Sequence, residues 1–202
     1  MAKNTLKKGE RTHRVILDAA YDLIVKQGYA ATSMRQIADN SGLALGSIYN
    51  HFASKEDVFR SIIQERHPFF QILPVLNLAR GRTIEEFVRN AAHTLVKQLG
   101  RHPDFLNLML IEIVEFKGCH VPLIVDKFIP MILPLSEHIT DLDDNTRDIP
   151  PFILTRAFLG MFFSYYITEI LMSPVVPHAW QTNALDHFVD IFLRGILTQE
   201  TE

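Results

Sequence analysis

Apolar residues recur along this chain at helical rather than alternating spacing. Val15, Ile16, Ala19, Ala20, Leu23 and Ile24 fall at i, i+1, i+4, i+5, i+8 and i+9. That is one stripe of a helix over about 10–27, with Gly28 as its stop. Three later starts pair a hydroxyl with an acceptor three residues on: Ser33 with Gln36, Ser54 with Asp57, and Thr83 with Glu86. Such a hydroxyl accepts from an otherwise unpaired N–H of the first turn. Further helices are predicted at about 83–100, 104–117, 121–139, 151–172 and 180–199. Pro122, Pro130 and Pro134 argue against one straight helix in the third of these. Pro68, Pro74 and Gly81 mark a change of domain, and 141–150 reads as a loop. The expectation is an all-α chain with a small domain over 8–67 and a larger helical one over 68–202.

Composition adds a division of charge. The chain has 202 residues, 48% apolar and 21% charged, enough to bury a core. The net charge of −3 is unevenly distributed. Residues 1–67 hold ten Lys/Arg against seven Asp/Glu, and residues 68–202 hold ten against sixteen. A basic head on an acidic body suits a polyanion partner for the head. The single cysteine excludes an internal disulfide and fits a reducing cytoplasm. The first ten residues lead into no apolar stretch, so no signal peptide is expected. Residues 151–172 are long enough to span a bilayer but contain Arg156 and Glu169. A central charge there costs about 2.5–3.5 kcal/mol, so the segment reads as a buried helix and no membrane partner is expected.

The informative stretch is Thr32–Phe59, TSMRQIADNSGLALGSIYNHFASKEDVF. Two short helices meet at Ser41-Gly42-Leu43, and Gly42 supplies a positive φ at the sharp turn. Ala38 lets the helices cross closely, and Ile37 and Ala38 face Leu43, Ile48 and Phe52. This pattern predicts a helix-turn-helix whose second helix enters the major groove of DNA.

The segment resembles the DNA-binding domain of the tetracycline-repressor (TetR) family. The resemblance runs through Thr32-Ser33, Ile37-Ala38, Gly42-Leu43, Gly46-Ser47-Ile48-Tyr49, His51-Phe52 and Ser54-Lys55-Glu56, close to fifty residues with the first helix. It implies that Ser33 holds a phosphate at a helix N-terminus, that Tyr49 and His51 reach backbone phosphates, and that Lys55 adds a charge. Leu45, Gly46, Ser47 and Asn50 are implied at the groove-facing surface, Ser47 and Asn50 bonding base edges and Leu45 touching a thymine methyl. Arg35 is a further implied phosphate or base contact. Ala44 stands where the family often has a capping Ser or Thr, and Leu45 where a Lys is frequent. The resemblance implies a homodimer through the last two helices, with Leu159, Phe163, Phe188, Ile191, Phe192 and Gly195 at the interface. It also implies a ligand pocket in the carboxy-terminal helices.

Aromatic and Met residues recur in the body, and Phe105, Met109, Phe116, Phe128, Met131, Phe162, Tyr165 and Tyr166 are the candidate pocket lining for a largely apolar effector. Glu112, Glu115, Glu169 and Arg156 are polar residues in apolar helices, either orienting a ligand or forming internal ion pairs. Glu112 is the carboxylate placed in the pocket set. Metal and enzyme readings fail on spacing. Asp141, Asp143 and Asn145 begin like a calcium loop, but Thr146 replaces its Gly and Phe152 its terminal Glu. Cys119 and His120 are adjacent, and on a helix they diverge by about 100°. No His-Glu-x-x-His run, Gly-rich phosphate loop or Gly-x-Ser-x-Gly elbow is present. The sequence therefore leads to a cytoplasmic, ligand-responsive regulator without cofactor or metal, most simply a homodimeric repressor of a palindromic double-stranded DNA operator, released by a small-molecule effector. An activator with the same head, or a DNA-tethered scaffold without a pocket, are the alternatives.

Overall fold

The stripe that begins at Val15 closes onto a buried edge. In α1, Lys8–Gln27, Ile16, Leu17, Ala19, Ala20 and Ile24 are buried while Val15 stays 37% exposed. The computed structural model describes residues 8–142, 147–177 and 181–197, the side chains of 136, 139 and 140 excepted. Those residues hold helices and turns: α2 Met34–Ser41, α3 Leu45–Tyr49, α4 Lys55–Arg66, α5 Phe69–Leu76, α6 Ile84–Arg101, α7 Asp104–Val114, α8 Pro122–Leu142, α9 Pro151–Met172 and α10 Ala184–Ile196. No helix among them is long and apolar enough to cross a membrane.

The chain divides into two compact units. The first takes residues 1–68 and, returning later, 104–124; the second takes 69–103 and 125–202. The segment 104–124, assigned by sequence to the body, thus packs with the head. In the first unit α1 lies against α2, α4 and α7, and α2 against α3. Ile16, Leu17, Ile37, Ile48, Val58, Phe59 and Ile62 lose essentially all solvent contact there. At about 1.5–3 kcal/mol for each side chain, this cluster dominates the domain's stability. Polar ties fix the angles: Asn40 Nδ2 donates to Ala19 O (3.2 Å), Arg66 pairs with Asp18 (2.7 Å), and Tyr21 donates to Asp104.

In the second unit α6 buries Ile84, Phe87, Val88, Ala91, Ala92, Leu95 and Leu99 along one stripe. It packs against α5, α9 and α10. Arg89 bridges Asp186 and Asp190, His93 meets Asp186 at 3.2 Å, and the Tyr166 hydroxyl donates to Leu99 O at 3.0 Å. Residues 143–146, which include Asp143, Asn145 and Thr146 of the predicted loop, lie outside the described residues, as do 180 and 198–199 of the last predicted helix.

Two elements depart from the sequence pattern. Residues 69–76 form α5 although Pro74 sits inside them, where a domain change without a helix was expected. Residues 122–142 form one continuous α8 despite Pro130 and Pro134. Both of those prolines are exposed, so carbonyls deprived of an N–H donor face solvent.

Candidate nucleic-acid interface

All three hydroxyl caps form. Ser33 Oγ accepts from Gln36 N–H (3.2 Å) while Gln36 Oε1 accepts from Ser33 N–H (2.8 Å), a complete capping box. Ser54 Oγ accepts from Asp57 N–H (3.1 Å), and Thr83 Oγ1 from Glu86 N–H (3.3 Å). Gly42 ends α2 at φ 68°, the left-handed turn its position requires, and Leu43 N–H then bonds Ala38 O at 3.1 Å. Ala44 precedes α3 without a side-chain cap.

The five residues of α3 have one inward anchor, Ile48, with no exposed surface. Around it Leu45 (39%), Tyr49 (52%), Gly46 and Asn50 are exposed, at i, i+1, i+4 and i+5 on the outer side. Ser47 is half-buried, and Ser33, Arg35 and His51 are exposed. The helix therefore presents a narrow stripe with one amide, one phenol and one apolar side chain.

Lys55 has a local task that spacing did not reveal. Its Nζ donates to Tyr29 O and Thr32 O, both at 2.7 Å, and stands 4.1 Å from the Tyr29 ring centroid. Burial lowers its pKa, partly offset by Glu115. The ammonium thus pins the loop before α2 to the start of α4.

His51 shares a groove of about 670 Å³ with Gly9, Glu10, His13, Arg14, Glu65 and Arg66. His13 Nε2 lies 3.0 Å from Glu65 Oε1, and its ring sits 4.9 Å from Phe52. His13 and Arg14 escaped the sequence reading because they are far from the motif in the chain; the basic run Arg11–Arg14 was the available signal.

The pocket candidates separate. Phe105, Met109, Glu112 and Phe116 belong to the first unit, and Phe128, Met131, Phe162, Tyr165 and Tyr166 to the second. Phe116 stacks on Phe59 (4.8 Å, 14°) and meets Tyr29 edge-on, while Phe105 meets His67 edge-on. Glu112 is buried and paired with His120, the internal pairing weighed as one of its two roles. Phe128 packs on Phe69, and Met131 O accepts from Asn77. Phe162 and Tyr166 are buried, and Tyr165 meets Phe188 edge-on. Burial and then Glu169 raise the Tyr165 pKa. Of the residues implied at a dimer interface, Ile191 is 59% exposed, whereas Phe192 is core, packed on Phe158 and Phe162.

Cys119 and His120 do not diverge as neighbours on one helix would, since neither lies on a helix: α7 ends at Val114, and Lys117 (φ 53°) and Gly118 (φ 79°) reverse the chain. Cys119 and His120 come back beside Glu112, and the ligand atoms of the three all lie within 4.8 Å of one another.

Residues 16–62 match the family model described as bacterial regulatory proteins, tetR family. The chain is 34% identical over 83 residues, 40% of its length, to the HTH-type transcriptional regulator SrpR of Pseudomonas putida. That match spans 39% of SrpR's own length, and matches to the next two relatives span 29% and 62% of theirs. In fold the chain is similar to a protein of Mesorhizobium loti described as a tetR-family transcriptional regulator (TM-score 0.71, 20% identity, 96% and 100% of the two chains). It is also similar to FadR of Bacillus subtilis in complex with stearoyl-CoA (TM-score 0.63, 16% identity, 91% and 99%).

Proposed function

We propose, from the match of residues 16–62 to the tetR family of bacterial regulatory proteins, that the chain is a homodimeric transcriptional repressor acting in the cytoplasm on a palindromic operator. The observation that carries this reading is the exposed stripe of α3 around the buried Ile48 anchor, held by a capped α2. A helix so anchored enters the major groove as one rigid piece with its neighbour. Asn50 and Ser47 offer donors and acceptors to base edges, and Leu45 offers an apolar contact to a thymine methyl. Tyr49, His51, Arg35 and Ser33 serve the phosphates, with His13 and Arg14 extending that surface from α1. Lys55 acts by holding the loop that carries Ser33, and its field adds to phosphate attraction.

One head of this size makes few contacts, so two heads on half-sites about 34–36 Å apart supply the affinity. The exposed apolar side chains of α9 and α10, among them Ile170, Leu171 and Ile191, support a dimer face. The aromatic residues of the second unit support an apolar effector, and a regulator of similar fold binds an acyl-CoA. The effector acts by preferring the state whose two α3 helices are misplaced for the half-sites.

The test is selection of bound fragments from a random DNA pool by the purified chain, followed by titration at several salt concentrations. Expected are a two-fold symmetric consensus and a steep loss of affinity with salt, less steep by about 0.9 in log–log slope for each cationic phosphate contact removed at Arg35 or Arg14. Failure to enrich any sequence, or binding indifferent to salt, overturns the reading.

A further inference from the structure

The reversal at Lys117-Gly118 leaves a buried imidazole between two carboxylates. Glu112 Oε1 accepts from the His120 backbone N–H at 2.7 Å, and Glu112 Oε2 lies 2.8 Å from His120 Nδ1. The side chains of His120 and Glu112 are 3% and 5% exposed, and the rings of Phe116 and Phe59 stand edge-on to the imidazole. On the other side of the ring, Nε2 has no hydrogen-bond partner among the described residues. The carboxylate recorded nearest to it is Glu56 Oε1 at 3.9 Å, on the first turn of α4.

Neither neutral tautomer suits both sides. With the proton on Nδ1, the bond to Glu112 is made, but the Nε2 lone pair is stranded facing Glu56. With the proton on Nε2, that side is favourable, but the Nδ1 lone pair meets Glu112 Oε2 at hydrogen-bond distance with nothing between. A metal ion on Nδ1 suits both sides, since it takes that lone pair and leaves the ring proton on Nε2. Cys119 supplies a third donor, its exposed Sγ lying within 4.8 Å of the ligand atoms of Glu112 and His120. Carboxylate, imidazole and thiolate form the donor set of a borderline-soft divalent ion.

We propose that Glu112, Cys119 and His120 bind one Zn²⁺, with the fourth position left to water. Bond lengths of about 2.0–2.3 Å require ligand atoms about 3.4–3.7 Å apart. Glu112 Oε2 and His120 Nδ1, at 2.8 Å, must open to admit the ion, and the exposed Cys119 side chain must close on it. Two anionic ligands neutralise the ion, as a half-buried position demands. The imidazole then binds through Nδ1 and carries its proton on Nε2, directed at Glu56, the arrangement by which a carboxylate orients a metal-bound histidine. The proton balance is simple. The imidazole proton moves from Nδ1 to Nε2, and the thiol proton leaves to solvent, one for each ion bound. The ion would tie the turn after α7 to the start of α4. The inference concerns metal binding alone and stands apart from any reading of DNA recognition.

The experiment uses the full chain, freed of metal by chelator and kept reduced. Co²⁺ is added as a spectroscopic probe, and Zn²⁺ is titrated against a chromogenic chelator. Expected are one ion per chain, a thiolate-to-cobalt charge-transfer band, one proton released per Zn²⁺ at a pH below the thiol pKa, and a rise in Tm with Zn²⁺. C119S changes an exposed side chain and is expected to keep the metal-free Tm. It should abolish the charge-transfer band and weaken Zn²⁺ at least tenfold, and H120Q should do the same to Zn²⁺ affinity. Absence of stoichiometric uptake by the wild-type chain overturns the proposal. So does binding that C119S leaves unchanged, which would place the ion on other histidines.

Discussion

Replacing Lys55 with Met keeps the length of the side chain and removes its charge and donors. Two charge-assisted hydrogen bonds, at 2.7 Å to Tyr29 O and Thr32 O, disappear together with the cation–π contact at 4.1 Å. A hydrogen bond to a charged group contributes about 1.5–3 kcal/mol, and an exposed cation–π contact about 0.5–1 kcal/mol. Thr32 is 2% exposed, so water cannot readily replace the lost donor at its carbonyl, and the upper half of that range applies there. Tyr29 O also accepts from Thr32 N–H at 3.1 Å and loses less. Against these losses stands the desolvation of the ammonium, the main cause of its lowered pKa, which Met no longer incurs. The net expectation is a loss of about 2–3 kcal/mol from the first unit. Because the chain has two units, hydrogen exchange of peptides from α1 and α2 reports the head more directly than whole-chain melting. Protection there should fall by about 30- to 150-fold in K55M. Arg is no rescue, since a planar guanidinium cannot bring one nitrogen to both carbonyls. Protection reduced by less than about threefold in K55M, or full protection in K55R, refutes the view that this ammonium holds the loop.

Two further expectations follow from single residues. His67 is buried, and desolvation lowers its pKa to about 4 from the ordinary 6.5. In this window the unfolded chain holds the extra proton, so stability is complete above about pH 6.5 and is lost as pH falls towards 4, by about 2 kcal/mol between pH 7 and 5. Urea midpoints of wild type and H67Q at both pH values should show that loss in the wild type alone; equal pH slopes refute it. Ala44 sits at φ −64°, ψ 142°, the backbone of a capping residue, but its side chain makes no cap hydrogen bond. A44S should stabilise α3 by about 0.5–1 kcal/mol, read as slower amide exchange at Ser47 and Ile48, and an unchanged rate there refutes it.

What was legible depended on how far each signal reaches along the chain. The caps at Ser33, Ser54 and Thr83 and the turn at Gly42 are decided within four residues, and each formed as the sequence predicts. The first helix and its stop at Gly28 are of the same kind. α5 was not legible: Phe69–Leu76 is apolar on every side but one, contains Pro74, and carries no hydroxyl cap, so neither periodicity nor boundary marks it. The division of 104–124 from the body was hidden too, because an apolar run such as FLNLMLIEIV states that it is buried without stating against what.

Lys55 and His120 show why local reading fails where chemistry gathers. Lys55 sits in a motif whose spacing fits a phosphate contact, yet its partners are backbone carbonyls 26 and 23 residues earlier, and carbonyls leave no trace in a sequence. For His120 the decisive feature is the turn after α7. Cys119 and His120 diverge only if both lie on one helix, whereas the end of α7 at Val114 and the reversal after it bring both back to Glu112. The signal was present in Gly118, the residue type that ends helices with positive φ, but Lys117 before it takes the same left-handed conformation, which a lysine does not advertise. Two consecutive left-handed residues return the chain eight positions after Glu112, close enough for Gly118 N–H to bond Glu112 O at 3.0 Å. A constellation made by such a reversal exists only if the turn is rigid. The stack of Phe116 on Phe59, with Tyr29 against its edge, supplies that rigidity from the head's own core. The same aromatic cluster that stabilises the first unit therefore also orients its least expected group of ligand atoms.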